Sequence, residues 1–210
     1  RLWDAEKSAK AYPRREDFIR DCVPILRREV GLLCQAGADI IQIDDPHLCL
    51  FVDPEVRCRS ENPGRDADFT VDMLNALVEG FRGPVFAVHL CRRAGARARG
   101  EACYSGGYDA ILPQINRLHY QHLTLEAATP QAKGLKFLRH LREDFEIGLG
   151  CLGTEPGKPD SVDEIVARAE RSLSYVTPER IVLNPDCGFA PGSGAKVDLD
   201  EVYAKLRNMV

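Results

Sequence analysis

Residues 14–44, RREDFIRDCVPILRREVGLLCQAGADIIQID, set an amphipathic pattern directly before a short isoleucine-rich run. Phe18, Cys22, Ile25, Leu26, Leu32 and Leu33 recur near helical spacing, and Gly37 supplies a stop. The run Ala38–Asp44 that follows is nearly continuous in apolar residues and leads into a second aspartate, Asp45. A strand covered by helices on both faces reads this way. The same unit returns along the chain. A helix around Val71–Phe81 precedes GPVFAVH (83–89), and one around Ile111–Leu118 precedes HLTLE (122–126). LKFLRHL (135–141) precedes EIGLGC (146–151), and VDEIVARAERSLSYV (162–176) precedes RIVLNPDC (180–187). Helix and strand alternating in this order predict an α/β fold with a parallel sheet.

Composition narrows what such a fold is for. The chain has 210 residues, 44% hydrophobic and 29% charged, with a formal net charge of -4. That describes one globular domain with a sizeable core. A mildly acidic balance argues against nucleic-acid binding, and the dense basic patch Arg92, Arg93, Arg97 and Arg99 is either a local anion site or a solvated loop. No apolar run is long enough to span a bilayer, and the first residues, RLWDAEKSAK, lack the apolar segment of a signal peptide, so a cytoplasmic protein without membrane contact is expected. Eight cysteines lie scattered through the chain and are expected as free thiols. Cys22, Cys34 and Cys49 read as small core residues.

Nearly every expected strand ends on a chemically useful side chain. Asp44 and Asp45 end the first, His89 and Cys91 the second, Glu126 the third, and Asn184, Asp186 and Cys187 the fifth. The fourth runs into GLGCLGTEPG (148–157), rich in glycine instead. In a parallel barrel those ends converge on one site. An open doubly wound sheet is the alternative, but the chain carries no glycine-rich phosphate loop of the required spacing, and GSG at 192–194 is too short and too late. We therefore expect a TIM-type (β/α)8 barrel. A closed barrel needs eight strands, so residues 1–210 are expected to form a single catalytic barrel domain with N-terminal strands missing.

His89 and Cys91 are two residues apart, so on extended backbone they point to the same side. An imidazole nitrogen, a carboxylate from Glu126 and thiolates from Cys91 and Cys187 form a donor set that suits zinc. The set is spread over three strand ends, whereas structural zinc sites usually draw on local knuckles. Elsewhere, Asp186 reads as a residue that orients a neighbour or caps a turn, GFAPGSG (188–194) as a loop over the site, and His47 as a mouth or solvated residue. His119, His122 and His140 carry no assigned role.

IIQIDDP (40–46), HLC (89–91), LTLE (123–126) and LNPDCGF (183–189) resemble, in order and spacing, the C-terminal catalytic barrel of the cobalamin-independent methionine synthase family and its short single-barrel relatives. YSGGYD (104–109) resembles the short relatives. The resemblance implies that His89, Cys91, Glu126 and Cys187 bind a catalytic zinc, that Asp44 holds the amino group of homocysteine, and that Trp3 lies near a folate donor. It implies zinc as cofactor, and a small-molecule thiol and an alkyl donor as partners. Full-length members carry a histidine after the strand matching EIGLGC, and this chain has none after His140. The donor is therefore left as methyltetrahydrofolate or another methyl carrier. Two alternatives stand beside methionine formation. One is an epoxyalkane:coenzyme M transferase-like alkylation in which Arg93 and its neighbours bind a sulfonate; the other is a non-catalytic metal-binding remnant.

Overall fold

The computed structural model describes residues 3–93, 104–129, 134–157, 159–189 and 197–210. Its elements run α1 (Arg15–Gln35), β1 (Ile40–Asp45), a 3-10 turn (Leu48–Val52), α2 (Pro54–Arg59), α3 (Pro63–Val78) and β2 (Val85–Leu90). A 3-10 turn (Tyr108–Ile111) leads into α4 (Leu112–Ile115) and β3 (His122–Leu125), and another (Lys136–His140) leads into β4 (Glu146–Leu152). The chain then forms α5 (Val162–Leu173), β5 (Ile181–Pro185) and α6 (Leu199–Met209).

All five strands are parallel, and their order in the sheet is their order in the sequence. A doubly wound sheet reverses direction at a switch point, and this one never does. It is a singly wound sheet of the barrel kind, with β1 and β5 as its edges. Register places Asp44 beside His89, His89 beside Thr124, and Thr124 beside Gly148, so these positions share one face. The other face presents Ile41, Phe86, Val88, Leu90, Leu123, Leu125 and Ile147, all buried in the main core with Val71, Leu74, Ile115 and Phe137, and Leu149, which is also buried. The polar ends of the strands thus sit on a rigid apolar floor. No described helix is long and apolar enough to cross a membrane.

Several local expectations change. Helix α3 begins at Pro63, well before Val71, because the Asn62 side chain accepts from the Arg65 N–H and proline suits the first turn. The segments around 111–118 and 135–141 hold only a four-residue helix and a 3-10 turn. Neither has a side-chain cap at its start, and helices that short gain little from propensity. Among the cysteines expected in the core, Cys49 is buried but Cys22 and Cys34 are half-exposed; all seven described cysteines are unbridged. The apolar face read for α1 is also largely open: Ile25 keeps 65% of its surface and Leu32 49%. That helix packs on the core through Val23, Val30 and Cys34, and Arg27 adds bonds to the Ala76 and Glu79 carbonyls of the α3 segment and lies over the Phe81 ring.

Candidate metal centre

Strand β2 delivers His89 to the polar face, and Cys91 follows immediately beyond the strand end. Glu126 and Cys187 come from the corresponding ends of β3 and β5. The ligand atoms of His89, Cys91, Glu126 and Cys187 all lie within 4.8 Å of one another. Cys187 Sγ is 3.6 Å from Cys91 Sγ and 3.5 Å from His89 Nε2, it donates to Glu126 Oε1 at 3.1 Å, and His89 Nε2 stands 4.0 Å from that oxygen. Bond lengths of about 2.0–2.3 Å in a tetrahedral zinc site place neighbouring ligand atoms roughly 3.3–3.8 Å apart. The donor types and spacings therefore fit a zinc ion.

Three of the four donors are held by a further group, and the residue before the fourth is tethered. His89 Nδ1 lies 3.3 Å from the Thr124 carbonyl, which can only accept, so Nδ1 carries the hydrogen and Nε2 is left facing the other donors. Arg93 adopts φ 67°, a left-handed conformation uncommon for a side-chain-bearing residue, and its N–H donates to Cys91 Sγ at 3.3 Å. The Arg92 N–H donates to Glu126 Oε1 at 2.9 Å. Asp186 is fully buried and accepts from the backbone N–H groups of Ala127, Ala128 and Thr129 at 2.8–2.9 Å, fastening the loop after Glu126 to the residue before Cys187.

Electrostatics follow from burial and crowding. The hydrogen bond from Cys187, aided by His89, draws Cys91 down to about 4 against the opposing effect of burial. Burial first, then the Cys91 charge, pushes Glu126 up to about 8. Burial acts to lower His89, but its bond to Cys91 and the charges of Cys91, Glu126 and Asp44 outweigh it, and the net direction is upward. Burial raises Asp186 to about 6, while its three N–H donors pull the other way. Cys91 is thus ready to ligate a cation as it stands, whereas a cation bound at Glu126 must release its proton.

Asp44 sits next to His89 in register, exposed on the same face, and accepts from Gln42 Nε2 at 2.9 Å. Gln42 Oε1 in turn accepts from the Thr124 hydroxyl at 3.1 Å. Asp45 alternates to the other face and is spent on capping the next turn, through the N–H groups of His47 and Leu48. His47 is half-buried against Phe51. Trp3 is not brought into the group; its indole N–H donates locally to the Tyr12 carbonyl at 3.0 Å. Of the basic patch, Arg92 is turned inward, 1% exposed, with its guanidinium over the Tyr108 ring and Nη2 on the Tyr104 carbonyl. Arg97 and Arg99, and the GSG at 192–194, lie outside the described residues.

Two further residues support the centre. Tyr108 is buried, with its hydroxyl between Leu90 and Glu126. Gly150 is required because a Cβ there would lie 2.1 Å from Asp186 Oδ1 and 2.5 Å from the Leu125 carbonyl. The glycine alternation at 148 and 150 was its visible signal. His122, given no role above, pairs through Nδ1 with Glu146 at 2.6 Å, at the opposite end of the strands from the metal group.

Residues 8–210 match the model of the cobalamin-independent synthase catalytic domain. The chain is 29% identical over 199 residues to the methionine synthase of Pyrococcus horikoshii and 27% identical to that of Pyrococcus furiosus, covering 95% of itself in each case. It spans about half the length of these relatives, 49% of each. Among solved structures it resembles a B12-independent methionine synthase from a Shewanella species, determined in complex with selenomethionine, with a TM-score of 0.70 at 20% identity over 94% of this chain and 54% of that one. A putative vitamin-B12 independent methionine synthase from Listeria monocytogenes gives a TM-score of 0.66 at 21% identity over 92% of this chain and 54% of that one. These likenesses confirm the TIM-type architecture. With nearly its whole length matched by the family model, the chain belongs to the cobalamin-independent synthase catalytic-domain family.

Proposed function

We propose that residues 1–210 act as a zinc-dependent S-methyltransferase unit that converts homocysteine to methionine, with methyltetrahydrofolate or another methyl carrier as donor. The observation that carries this reading is the convergence of His89, Cys91, Glu126 and Cys187 with Asp44 one strand away in register. Relatives named methionine synthase, and a structural neighbour determined with selenomethionine, support it. A zinc ion held by these four residues supplies the Lewis acidity that keeps a substrate thiol ionised at neutral pH.

The remaining tasks fall to the chain itself. Asp44 offers a carboxylate to the ammonium group of an amino-acid thiol. Gln42 donates to Asp44 Oδ1, which leaves the other oxygen to accept from that ammonium. Thr124 couples the two halves of the site, since its carbonyl orients His89 and its hydroxyl orients Gln42. Coenzyme M has no ammonium for Asp44, and the buried Arg92 is committed to Tyr104 and Tyr108. The homocysteine reading is therefore preferred.

Calorimetric titration of L-homocysteine and coenzyme M into zinc-loaded protein, Asp44→Asn and Arg93→Ala tests the choice. Asp44→Asn is expected to weaken homocysteine by about 1–3 kcal/mol, with Arg93→Ala near wild type. Coenzyme M binding that survives Asp44→Asn and is lost in Arg93→Ala, with no homocysteine binding, would overturn the assignment.

A further inference from the structure

We infer that Tyr108 is a positioning residue for the metal centre, its hydroxyl holding the backbone of Glu126 against the end of β2 so that the carboxylate meets the other donors. The inference deepens the metal reading above and rests on it. Tyr108 touches none of the four donor atoms in the described contacts. Its hydroxyl donates to the Leu90 carbonyl at 3.1 Å and accepts from the Glu126 N–H at 3.0 Å. Leu90 lies between His89 and Cys91, so this one hydroxyl links the strand end carrying two donors to the residue carrying the third.

The bridge spans a place where the ladder stops. Pairing of β2 with β3 ends at Leu90 and Leu125, so the hydroxyl joins the carbonyl of the last ladder pair to the N–H of Glu126, one residue beyond it. Removing the hydroxyl would take one buried bond from each of these backbone groups, a cost that makes the geometry stiff. The ring is fixed as well: Tyr108 is 2% exposed, tilted against Phe137 with centroids 5.1 Å apart, and covered by the Arg92 guanidinium at 5.4 Å. Arg92 also gives its own N–H to Glu126 Oε1 at 2.9 Å. Tyr108 and Arg92 thus form one packed unit that grips Glu126 at its backbone and at its carboxylate. Asp186 holds the residues just after it. Glu126 is held from both sides, and Tyr108 supplies the hold on the side of His89 and Cys91.

The test compares zinc affinity, by competition with a chromophoric chelator, in wild type, Tyr108→Phe, Glu126→Ala and the double variant. Groups that orient metal ligands typically change affinity 10–100-fold when removed. Tyr108→Phe is expected to bind zinc at least tenfold more weakly while keeping its far-UV dichroism, and to alter the visible spectrum of the cobalt(II) form. In the Glu126→Ala background the same change is expected to have no further effect, because Tyr108 acts through Glu126. An unchanged affinity and cobalt spectrum in Tyr108→Phe, or an equal loss in both backgrounds, would overturn the inference. Wild type that binds no zinc would instead overturn the metal reading, and this inference with it. If Tyr108→Phe does not fold, 3-fluorotyrosine at position 108 replaces it. Its fluorine resonance is expected to shift when zinc is added to otherwise wild-type protein, and no shift contradicts the role.

Discussion

At the scale of single residues, the candidate centre is a problem of proton storage. Glu126, pushed up to about 8 chiefly by burial, holds a proton at neutral pH before any cation arrives, whereas Cys91, drawn down to about 4, is already ionised. The sign follows from linkage. A carboxyl whose folded pKa is raised favours the folded state below its unfolded pKa, and that contribution is lost as pH rises through about 8. A thiol whose folded pKa is lowered does the opposite, its contribution being lost as pH falls through about 4. The two trends oppose each other in the metal-free protein, so metal affinity is the cleaner readout. Zinc must displace the Glu126 proton, and its affinity is expected to fall as pH drops from 8 to 6. Glu126→Gln should bind more weakly at pH 8 but with a shallower pH slope, measured by chelator competition at each pH. An identical slope in the two proteins would place the displaced proton elsewhere.

At the scale of elements, the strand ends were legible because each carries its chemistry in one short block: IIQIDDP, HLC, LTLE and NPDC. Alternation within IIQIDD even separates the aspartates, with Asp44 on the site face and Asp45 capping a turn. What stayed hidden joins segments distant in sequence. Tyr108 meets Leu90 and Glu126 across 18 residues on either side, and Asp186 meets Ala127 across 59. No periodicity encodes such pairs. Helix lengths at 112–115 and 136–140 were overread for a related reason, since apolar density marks burial as well as helix. The glycines of β4 turn out to be places where opposing groups come close. Gly150→Ala would press a methyl group on Asp186 and on the Leu125 and Ala127 backbone, whereas Gly148→Ala meets the side chains of Asn184 and His122. Overpacking of this kind costs about 1–3 kcal/mol. Urea unfolding is expected to show the larger loss in Gly150→Ala, together with weakened zinc binding; equal losses would argue against the Asp186 tether.

For the whole molecule, a singly wound parallel sheet gathers residues from positions 44 to 187 at one end, over a core of aliphatic and aromatic side chains. The family match extends over residues 8–210, and the donors come from three of the five strands. Barrel architecture explains why: strand C-termini on one side are the only places where distant segments converge without crossing the core. Trp3, assigned to the methyl-donor side by resemblance, lies in the turns before α1, where its indole N–H donates to the Tyr12 carbonyl. On the proposed reading, these strand ends hold one zinc and present it to a thiol. X-ray absorption on zinc-loaded protein, with metal content determined in parallel, addresses it most directly. The expected result is about one zinc per chain, scattering from two sulfurs and two nitrogen or oxygen atoms, and a third sulfur when L-homocysteine is added. Substoichiometric metal, fewer than two sulfurs, or a spectrum unmoved by homocysteine would contradict it.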